Sequence, residues 1–585
     1  MGGIAGLVNV DHAPEEADFD VPGAGPTFCR DGALLLSRPR STLAQNERWV
    51  VSVAGHFDRA PVSGQSAAEV LLDYWSRQGI EALSHFEGAW VATVYDRERR
   101  QLHLLRGPFG IRRLYFAVRG GKLAYASRLE WLVRLPWVSR ELARENLAEF
   151  LVFRYVHAPR TMLRDVSLLP AGHHLVFDGR VSLEPWFRLK YAPPYSALPD
   201  DAATLPELER RLNRAVAARA SGRQRVGVFL SGGLDSSAIT LFASRLGPVH
   251  TFTVAVADED GDETPYAGRV ASILRAHHEV LRVDQAMFRA GLEEAMSRTD
   301  QPLTDPGAVP QLLLARAARP HVDVLLSGDG GDEIFGGRTV ADVASAFRLS
   351  GLVSRLPGPA RGIAATLLGG SRPELRERGI PFGLARRIGG AHVFDQEDRR
   401  ALLRDPGWVR PGIRRMTLEP FYREVTSDPL NEIMHVQLRA RMAQDSLARA
   451  GLATGLAGLA LREPLLDRDL VSWLARLPGH WKVRRNPTGR VVSKWPLREL
   501  LRPVLGRPLV NRPKRVLPGP WKLWLATDGS DLFREKLALL KEDRLGLFLP
   551  GAVDALAANL DAPGVDARLW TLFFLDGWAR ANGVG

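Results

Sequence analysis

Cysteine is nearly absent from this sequence of 585 residues, which contains only Cys29. A single cysteine excludes an internal disulfide and any metal site built from several cysteines. No segment approaches 18 uncharged apolar residues, the length that a membrane span needs. The N-terminus also lacks the basic-then-apolar pattern of a signal peptide. These absences predict a cytoplasmic protein that does not contact a membrane.

Lysine is scarce as well, with eight lysines among 78 basic residues, although the formal net charge is +12. The arginines are dispersed, and there is no basic tail or basic low-complexity run. A broad composition bias therefore explains the charge better than a nucleic-acid-binding patch does. We predict no nucleic-acid partner, whereas an anionic nucleotide and an acidic peptide substrate are both compatible with this charge.

The first 190 residues contain short alternating strands separated by turn residues, for example at 49–53, 89–95 and 122–126. This pattern is typical of an α+β domain with a large antiparallel content. The next stretch, 191–206, is rich in proline and predicts a linker.

From residue 207 to 585 the pattern changes. Buried strands such as 226–230, 249–254 and 322–326 alternate with helical segments, and beyond residue 340 the sequence is largely helical. Alternation of this kind predicts an α/β domain with a parallel sheet and helices on both faces.

The segment 231–237, Ser-Gly-Gly-Leu-Asp-Ser-Ser, joins a predicted buried strand to a predicted helix. Such a turn directs backbone N–H groups and a helix N-terminus at an anion. Asp235 would repel phosphate unless it held a cation, and Mg²⁺ accepts carboxylate and phosphate oxygens together. No lysine follows the glycines, so this is not the GxxxxGK[ST] phosphate loop. The segment resembles the pyrophosphate loop of ATP pyrophosphatases, which cleave ATP to AMP and pyrophosphate.

A second acidic, glycine-rich segment, 327–337 (Ser-Gly-Asp-Gly-Gly-Asp-Glu-Ile-Phe-Gly-Gly), follows another predicted strand. Parallel strands present ligands at their C-terminal ends, so this loop should face the first one across a crevice of the sheet.

The whole chain resembles the class II asparagine synthetase family. Its opening, Met-Gly-Gly-Ile-Ala-Gly, resembles the Met-Cys-Gly-Ile-Ala-Gly of that family, and 169–173, Leu-Pro-Ala-Gly-His, resembles Leu-Pro-Pro-Gly-His. The resemblance implies an N-terminal-nucleophile-hydrolase-like glutaminase domain over 1–190, a linker over 191–206 and an ATP pyrophosphatase domain over 207–585.

The same resemblance implies roles for individual residues. Asp235 and Asp332 match the magnesium ligands, and Asp329 lies where the family places a residue near the attacking amine. Lys494, in Ser-Lys-Trp-Pro-Leu-Arg, matches the lysine over the ATP phosphates and the forming acyl intermediate. The residues expected to bind ATP are Leu230, Ser231, Gly232, Gly233, Leu234, Asp235, Ser236, Ser237, Val254, Ser327 and Gly328.

Position 2 departs from the family, because glycine stands where the glutaminases have a nucleophilic cysteine. Cys29 lies elsewhere in the chain and lacks the free α-amine that serves as base. The Asn-Gly-Glu element that holds glutamine is also altered, to Ala54-Gly55-His56. We therefore expect an N-terminal domain that does not hydrolyse glutamine and is structural, or a surface for a partner or substrate.

A second departure is Ala460, where a glutamate is expected. In β-lactam synthetases this glutamate supports a base tyrosine, and the tyrosine's position is Asp329 in this chain. Proton removal from the amine must be arranged differently here. Asp329 or Glu463 could contribute, or the amine could enter already neutral.

These features are most similar to those of lasso peptide cyclases, which lack the glutaminase cysteine. The resemblance implies an ATP- and Mg²⁺-dependent ligase that adenylates an Asp or Glu side chain of a core peptide and joins it to the peptide's N-terminal amine. A leader-binding protein and a leader peptidase are the partners that it implies. The alternatives are an ammonia-dependent asparagine synthetase-like or β-lactam synthetase-like amide ligase, and a catalytically dead binding module.

Overall fold

The computed structural model describes residues 3–9, 27–30, 33–37, 41–59, 64–194, 196–220, 224–256, 262–342, 344–345, 393–512, 530–560 and 562–585. In the N-terminal part the strands are β1 (Ile4–Asn9), β2 (Thr27–Arg30), β3 (Ala33–Ser37), β4 (Ser41–Gln45), β5 (Trp49–Arg59), β6 (Glu87–Asp96), β7 (Gln101–Arg106), β8 (Tyr115–Arg119), β9 (Lys122–Ala126), β10 (Ser167–Leu168), β11 (His173–Phe177) and β12 (Val181–Pro185). The helices are α1 (Ala67–Gln78), α2 (Leu129–Leu132) and α3 (Leu147–Phe153), with 3₁₀ segments at Gly79–His85 and Arg144–Asn146.

These strands form two antiparallel sheets, ordered β10-β8-β9-β1-β3-β2 and β12-β11-β7-β6-β5-β4. The sheets pack face to face through alternate apolar side chains such as Ile4 and Leu35 of the first and Val50 and Leu104 of the second. Helix α1 covers the outer face of the second sheet, and α2 and α3 cover the outer face of the first. The predicted α+β domain with antiparallel strands is confirmed, and its assignment to the N-terminal-nucleophile hydrolases stays a prediction.

In the C-terminal part the strands are β13 (Val226–Phe229), β14 (His250–Val256), β15 (His277–Val283), β16 (Val324–Leu326), β17 (Ala460–Arg462), β18 (Arg484–Arg485) and β19 (Val491–Val492). The helices as far as the second predicted loop are α4 (Asp201–Ala220), α5 (Leu234–Ser244), α6 (Thr264–Ile273), α7 (Gln285–Arg298), α8 (Ala308–Ala318) and α9 (Gly331–Phe335).

Helices dominate the rest of the chain, as predicted. They are α10 (Gln396–Leu402), α11 (Ile413–Arg423), α12 (Pro429–Val436), a π-helical segment (Gln437–Met442), α13 (Ser446–Leu456), α14 (Arg468–Ala475), α15 (Gly479–Lys482), α16 (Trp495–Val510), α17 (Ser530–Lys541), α18 (Ala552–Ala557) and α19 (Val565–Asn582), with 3₁₀ segments at Pro406–Trp408 and Pro464–Leu466.

Five strands of this part form a parallel sheet in the order β15-β14-β13-β16-β17. Helices α4, α5 and α16 pack on one face, and α8 and α13 pack on the other. The predicted parallel sheet with helices on both faces is confirmed. The strand order reverses between β13 and β16, and such a switch point opens a crevice at the C-terminal ends of the strands.

The predicted linker 191–206 differs from the structure in its second half, because α4 begins at Asp201. The proline-rich composition misled the prediction, since Pro206 lies early in that helix. The first half contacts the C-terminal part: the Ala192 N–H donates to the carbonyl of Ala475 at 3.0 Å. The division 1–190 and 207–585 stays a prediction. Among the described residues no helix is both long and apolar enough to cross a bilayer.

Candidate active site

The predicted phosphate loop connects β13 to α5 at the switch point. Gly232 has φ +65°, and a Cβ there would come within 2.7 Å of the backbone nitrogen of Ala267, so the turn requires glycine. The Ser231 hydroxyl accepts a hydrogen bond from the Gly233 N–H at 3.2 Å. Helix α5 begins at Leu234, and no side chain caps its N-terminus. Its first N–H groups therefore remain available to an anion.

The second predicted loop connects β16 to α9 and touches the first. A Cβ on Gly331 would come within 2.2 Å of Asp235 Oδ1, so only glycine lets the two loops approach this closely. The Gly331 N–H donates to the carbonyl of Gly328 at 3.3 Å, which closes the turn. The two segments that the sequence singled out are thus neighbours, although about 90 residues separate them.

Lys494 lies between the two predicted magnesium ligands. Its Nζ is 2.6 Å from Asp332 Oδ1 and also forms an ion pair with Asp235. Its side chain is 6% exposed. Lys494 immediately precedes α16, and its backbone has a left-handed φ of 52°, which directs the side chain into the crevice. Burial by itself would lower the pKa of the Lys494 ammonium. The two neighbouring carboxylates outweigh that effect and raise this pKa above its ordinary value. The lysine is therefore charged throughout the physiological pH range.

The site offers oxygen ligands that suit magnesium. Asp235 Oδ1 is buried and has no hydrogen-bond partner among the described residues. Here the Lys494 ammonium pairs with both carboxylates and leaves one negative charge, which a divalent cation could balance. Two carboxylates beside a phosphate-binding turn fit the hard oxygen coordination of Mg²⁺, which keeps waters and shares phosphate oxygens. Asp235 and Asp332 are the residues that would hold it.

Two further carboxyl groups lie beside this site. Asp329 accepts a hydrogen bond from the Ser327 hydroxyl at 2.8 Å. Burial raises the pKa of Asp329. The negative charges of Asp235 and Asp332 raise this pKa further, whereas the positive charge of Arg449 lowers it. Burial, together with the charges of Asp329 and Asp58, raises the pKa of Glu463 to about 8. Both environments therefore favour the protonated form of the acid. A carboxyl group that transfers protons near neutral pH needs a pKa raised in this way.

The remaining predicted ATP contacts flank the loops. Leu230 is fully buried, and its N–H donates to the carbonyl of Phe252 at 2.9 Å. Val254 is partly exposed on β14. The Ser327 N–H donates to the carbonyl of Arg462 at 3.1 Å, which joins the second loop to β17. Leu234, Ser236 and Ser237 lie in the first turn of α5. Their roles toward ATP stay predictions.

Arg512 is a site residue that sequence reasoning missed. Its guanidinium donates to the carbonyls of Ser231 and Gly232, each at 3.0 Å, and forms an ion pair with Glu263 at 3.0 Å. It also stacks over the ring of Tyr266 at 4.5 Å. This clamp holds the phosphate loop in place. One arginine among 70 gave no signal of this in the sequence.

Arg449 was missed for the same reason. Its guanidinium lies 2.5 Å from Asp305, and its charge opposes the raised pKa of Asp329. Arg449 therefore sets the charge balance beside the predicted amine site.

Two polar residues of the segment after α7 connect the two parts of the chain. Asp300 accepts a hydrogen bond from the Leu129 N–H at 3.0 Å, and Gln301 accepts one from the Met162 N–H at 2.8 Å. Asp300 and Gln301 therefore anchor the N-terminal part.

The interface between the two parts contains a buried ion cluster. Arg219 of α4 lies 3.0 Å from Asp58 of β5 and 2.9 Å from Asp467, and all three side chains are 2% exposed. His56, in the altered glutamine-binding element, pairs with Asp58 at 3.2 Å. Burial lowers the pKa of His56. The altered element thus takes part in an interdomain contact, while Gly2 lies outside the described residues.

Comparison with known families matches the two parts separately. Residues 207–580 match the family described as asparagine synthase, and residues 56–187 match the glutamine amidotransferase domain. A protein of Mycobacterium tuberculosis named "Putative asparagine synthetase (glutamine-hydrolyzing)" is 32% identical over 529 residues, which cover 87% of this chain and 79% of that protein. The chain therefore belongs to the asparagine synthase family and is an ATP-dependent amide-forming ligase.

Two less similar relatives are a second protein named asparagine synthetase and a protein named amidase. Asparagine synthetase (glutamine-hydrolyzing) 1 of Bacillus subtilis is 26% identical over 527 residues, covering 88% of this chain and 81% of that protein. Amidase chyE of Penicillium rubens is 24% identical over 528 residues, covering 82% of this chain and 76% of that protein.

Proposed function

We propose that this ligase closes a macrolactam ring in lasso peptide biosynthesis. It adenylates an Asp or Glu side chain of a core peptide and joins that side chain to the peptide's own N-terminal amine. The observation that carries the proposal is a contrast within one chain. Lys494, Asp235 and Asp332 lie together beside the phosphate-binding turn, as adenylation would require, whereas glycine stands at position 2, where the glutaminases have the cysteine that releases ammonia from glutamine.

The first step forms the acyl-adenylate. The substrate carboxylate attacks the α-phosphorus of ATP, and the bond from that phosphorus to the bridging oxygen of pyrophosphate breaks. The turn at 231–237 and the N-terminus of α5 bind the phosphates, and Lys494 neutralises the charge that develops on them. Bound Mg²⁺ would balance the charge of the leaving pyrophosphate.

The second step forms the amide. The amine attacks the acyl carbon, the bond to AMP breaks, and one proton leaves the nitrogen. In this proposal the partly buried Asp329 or the buried Glu463 takes that proton once ionised, and Glu463, with a pKa of about 8, ionises near neutral pH. Holding both ends of one peptide in the crevice gives ring closure a high effective concentration of amine. In this proposal a leader-binding protein and a leader peptidase deliver the core peptide.

Ammonia-dependent asparagine synthesis is the second candidate. Two relatives named asparagine synthetase favour it, because this chain covers 79% and 81% of their lengths. It needs the same adenylation site and differs only in the substrate carboxylate and the amine.

One experiment separates the two. The enzyme is supplied with ATP, Mg²⁺ and the leaderless form of any short precursor peptide that its neighbouring genes encode, or with aspartate and ammonium at high concentration. Macrolactam formation predicts a peptide lighter by one water, without a free N-terminal amine, and equal amounts of AMP and pyrophosphate. Asparagine accumulation without loss of water from the peptide would replace the cyclase proposal by the second candidate.

Two controls complete this experiment. Asp235→Asn should abolish AMP release with either substrate, because the adenylation site is shared. Glutamine should release no glutamate above background, with or without ATP. Measurable glutaminase turnover would refute the expectation of an inactive N-terminal domain.

A further inference from the structure

The N-terminal ends of the parallel strands carry a cluster of metal-ligating side chains far from the predicted ATP site. His250 begins β14, His277 begins β15 in register with it, and Glu279 follows two residues later on the same face. His321, in the segment between α8 and β16, completes the group. One ligand atom each of His250, Glu279 and His321 lies within 4.8 Å of the other two.

The adjacent pair His277-His278 does not act together, as the alternation of side chains along a strand requires. His278 points to the opposite face, where its Nδ1 lies 2.9 Å from the Thr251 hydroxyl. His277 lies against His250, with 4.7 Å between the ring centroids. The segment 277–279 therefore contributes His277 and Glu279 to one face, and the fold adds His250 and His321 from other segments.

The spacing within the cluster suits a bound ion better than direct hydrogen bonds. Glu279 lies 3.6 Å from His321 Nε2 through one oxygen and 3.6 Å from His277 Nδ1 through the other, both beyond hydrogen-bonding distance. Ligand atoms of a tetrahedral zinc site lie about 3.3 Å apart when the metal–ligand bonds are about 2.0–2.1 Å. His250 Nδ1 is buried and has no hydrogen-bond partner among the described residues.

Arg225, whose positive charge acts on His250, does not fill the cluster. Arg225 is held by Asp323 at 3.2 Å and by the carbonyl of Pro320 at 2.9 Å. Imidazole nitrogens also discriminate against Mg²⁺, which prefers oxygen ligands, and favour zinc and similar first-row metals.

We propose that His250, Glu279 and His321 form a site for a divalent transition-metal ion, with Zn²⁺ as the representative ion and water in the open position. The bound ion would join β14, β15 and the segment before β16 at the end of the sheet opposite the phosphate loops. His250 is in register with Gly227 of β13, four residues before Ser231, and strand residues rise about 3.3 Å each, so about 13 Å along the strand separates this site from the phosphate loop. Its role is therefore structural and independent of the proposed reaction.

The test is zinc binding to the chelator-treated full chain in millimolar Mg²⁺, which occupies the carboxylates of the crevice. Titration against a chromophoric chelator should give one Zn²⁺ per chain, and zinc should raise the midpoint of thermal unfolding. Glu279→Gln, which keeps the shape of the side chain, and His321→Ala should each weaken binding by at least about 100-fold and abolish the thermal shift. AMP formation with Mg²⁺-ATP should be unchanged in both variants.

His278→Ala is the matched control, because it removes a neighbouring histidine from the opposite face. It should retain one Zn²⁺ and the full thermal shift. The proposal is overturned if the wild-type chain binds no stoichiometric zinc, binds several ions weakly, or binds zinc equally well after Glu279→Gln. The proposal is also overturned if His278→Ala abolishes zinc binding while His321→Ala leaves zinc binding unchanged.

Discussion

Replacing Lys494 by alanine tests the central assignment of the crevice, because three measurable quantities should change in a defined pattern. In the wild type the ammonium lies between Asp235 and Asp332, and the three groups together carry one negative charge. Lys494→Ala leaves two neighbouring carboxylates without that cation. The crevice then carries two negative charges before any metal or nucleotide binds.

The first quantity is the free energy of unfolding without metal. Removing one partner of a fully buried ion pair costs about 3–5 kcal/mol. The Asp235 and Asp332 side chains keep 20% and 31% of their surface exposed, so solvent screens part of their repulsion. We therefore expect a loss of about 1–3 kcal/mol.

The other two quantities move in opposite directions. The rate of AMP release should fall by about 100- to 1,000-fold, as it does when a group that stabilises developing charge is lost. The apparent affinity for Mg²⁺ should rise by about tenfold or more, because the more negative site attracts the ion more strongly. Millimolar Mg²⁺ should also restore more stability to the variant than to the wild type.

Pyrophosphate release, Mg²⁺ titration and thermal unfolding measure these effects. Lys541→Ala is the control, since Lys541 also pairs with an aspartate, Asp554 at 2.6 Å, but on an exposed surface; it should change none of the three. Lys494→Arg should restore little activity, because the planar guanidinium cannot replace a compact ammonium. If Lys494→Ala loses Mg²⁺ affinity together with activity, the lysine is only a structural support and the assignment fails.

Asp235→Asn and Asp332→Asn should each reduce pyrophosphate release by at least about 100-fold with little change in fold; near-normal turnover in either variant would mean that the metal pair is wrong. Arg219→Met removes the guanidinium that pairs with two buried interface carboxylates and should lower the free energy of unfolding by about 3–5 kcal/mol in urea titrations. Arg214→Met, at an exposed ion pair, should cost less than about 1 kcal/mol, and equal losses would contradict this account. The folded protein holds a proton on Glu463 up to about pH 8, whereas the unfolded chain releases this proton near the ordinary pKa of 4.5. The contribution of Glu463 to the free energy of unfolding therefore falls as the pH rises from about 4.5 to about 8. Glu463→Gln should remove this part of the pH dependence and be about 1–3 kcal/mol more stable than the wild type at pH 8.5; parallel stability profiles of the two proteins would show that the acid is not protonated in the fold.

Local patterns were sufficient for the architecture. The run at 226–230 is apolar throughout, and the run at 322–326 is apolar except for Asp323, because both faces of a parallel sheet are covered; the structure has strands at both places. The alternating runs of the first 190 residues similarly correspond to antiparallel strands. Composition was a weaker guide, since the second half of the proline-rich stretch, from Asp201 onward, already belongs to a helix.

The sequence alone determined the position of the two loops, because each is a glycine-rich turn that joins a buried strand to a helix through adjacent residues. The tertiary structure decided which distant side chains join them. Lys494 and Glu463 were named from the sequence, but only the fold brings Lys494 to Asp235, more than 250 residues away, and Arg512 and Arg449 had no local pattern that distinguished them from other charged residues. Their roles arise from burial and from partners brought close by the crossover of the sheet, and neither property is encoded in neighbouring sequence.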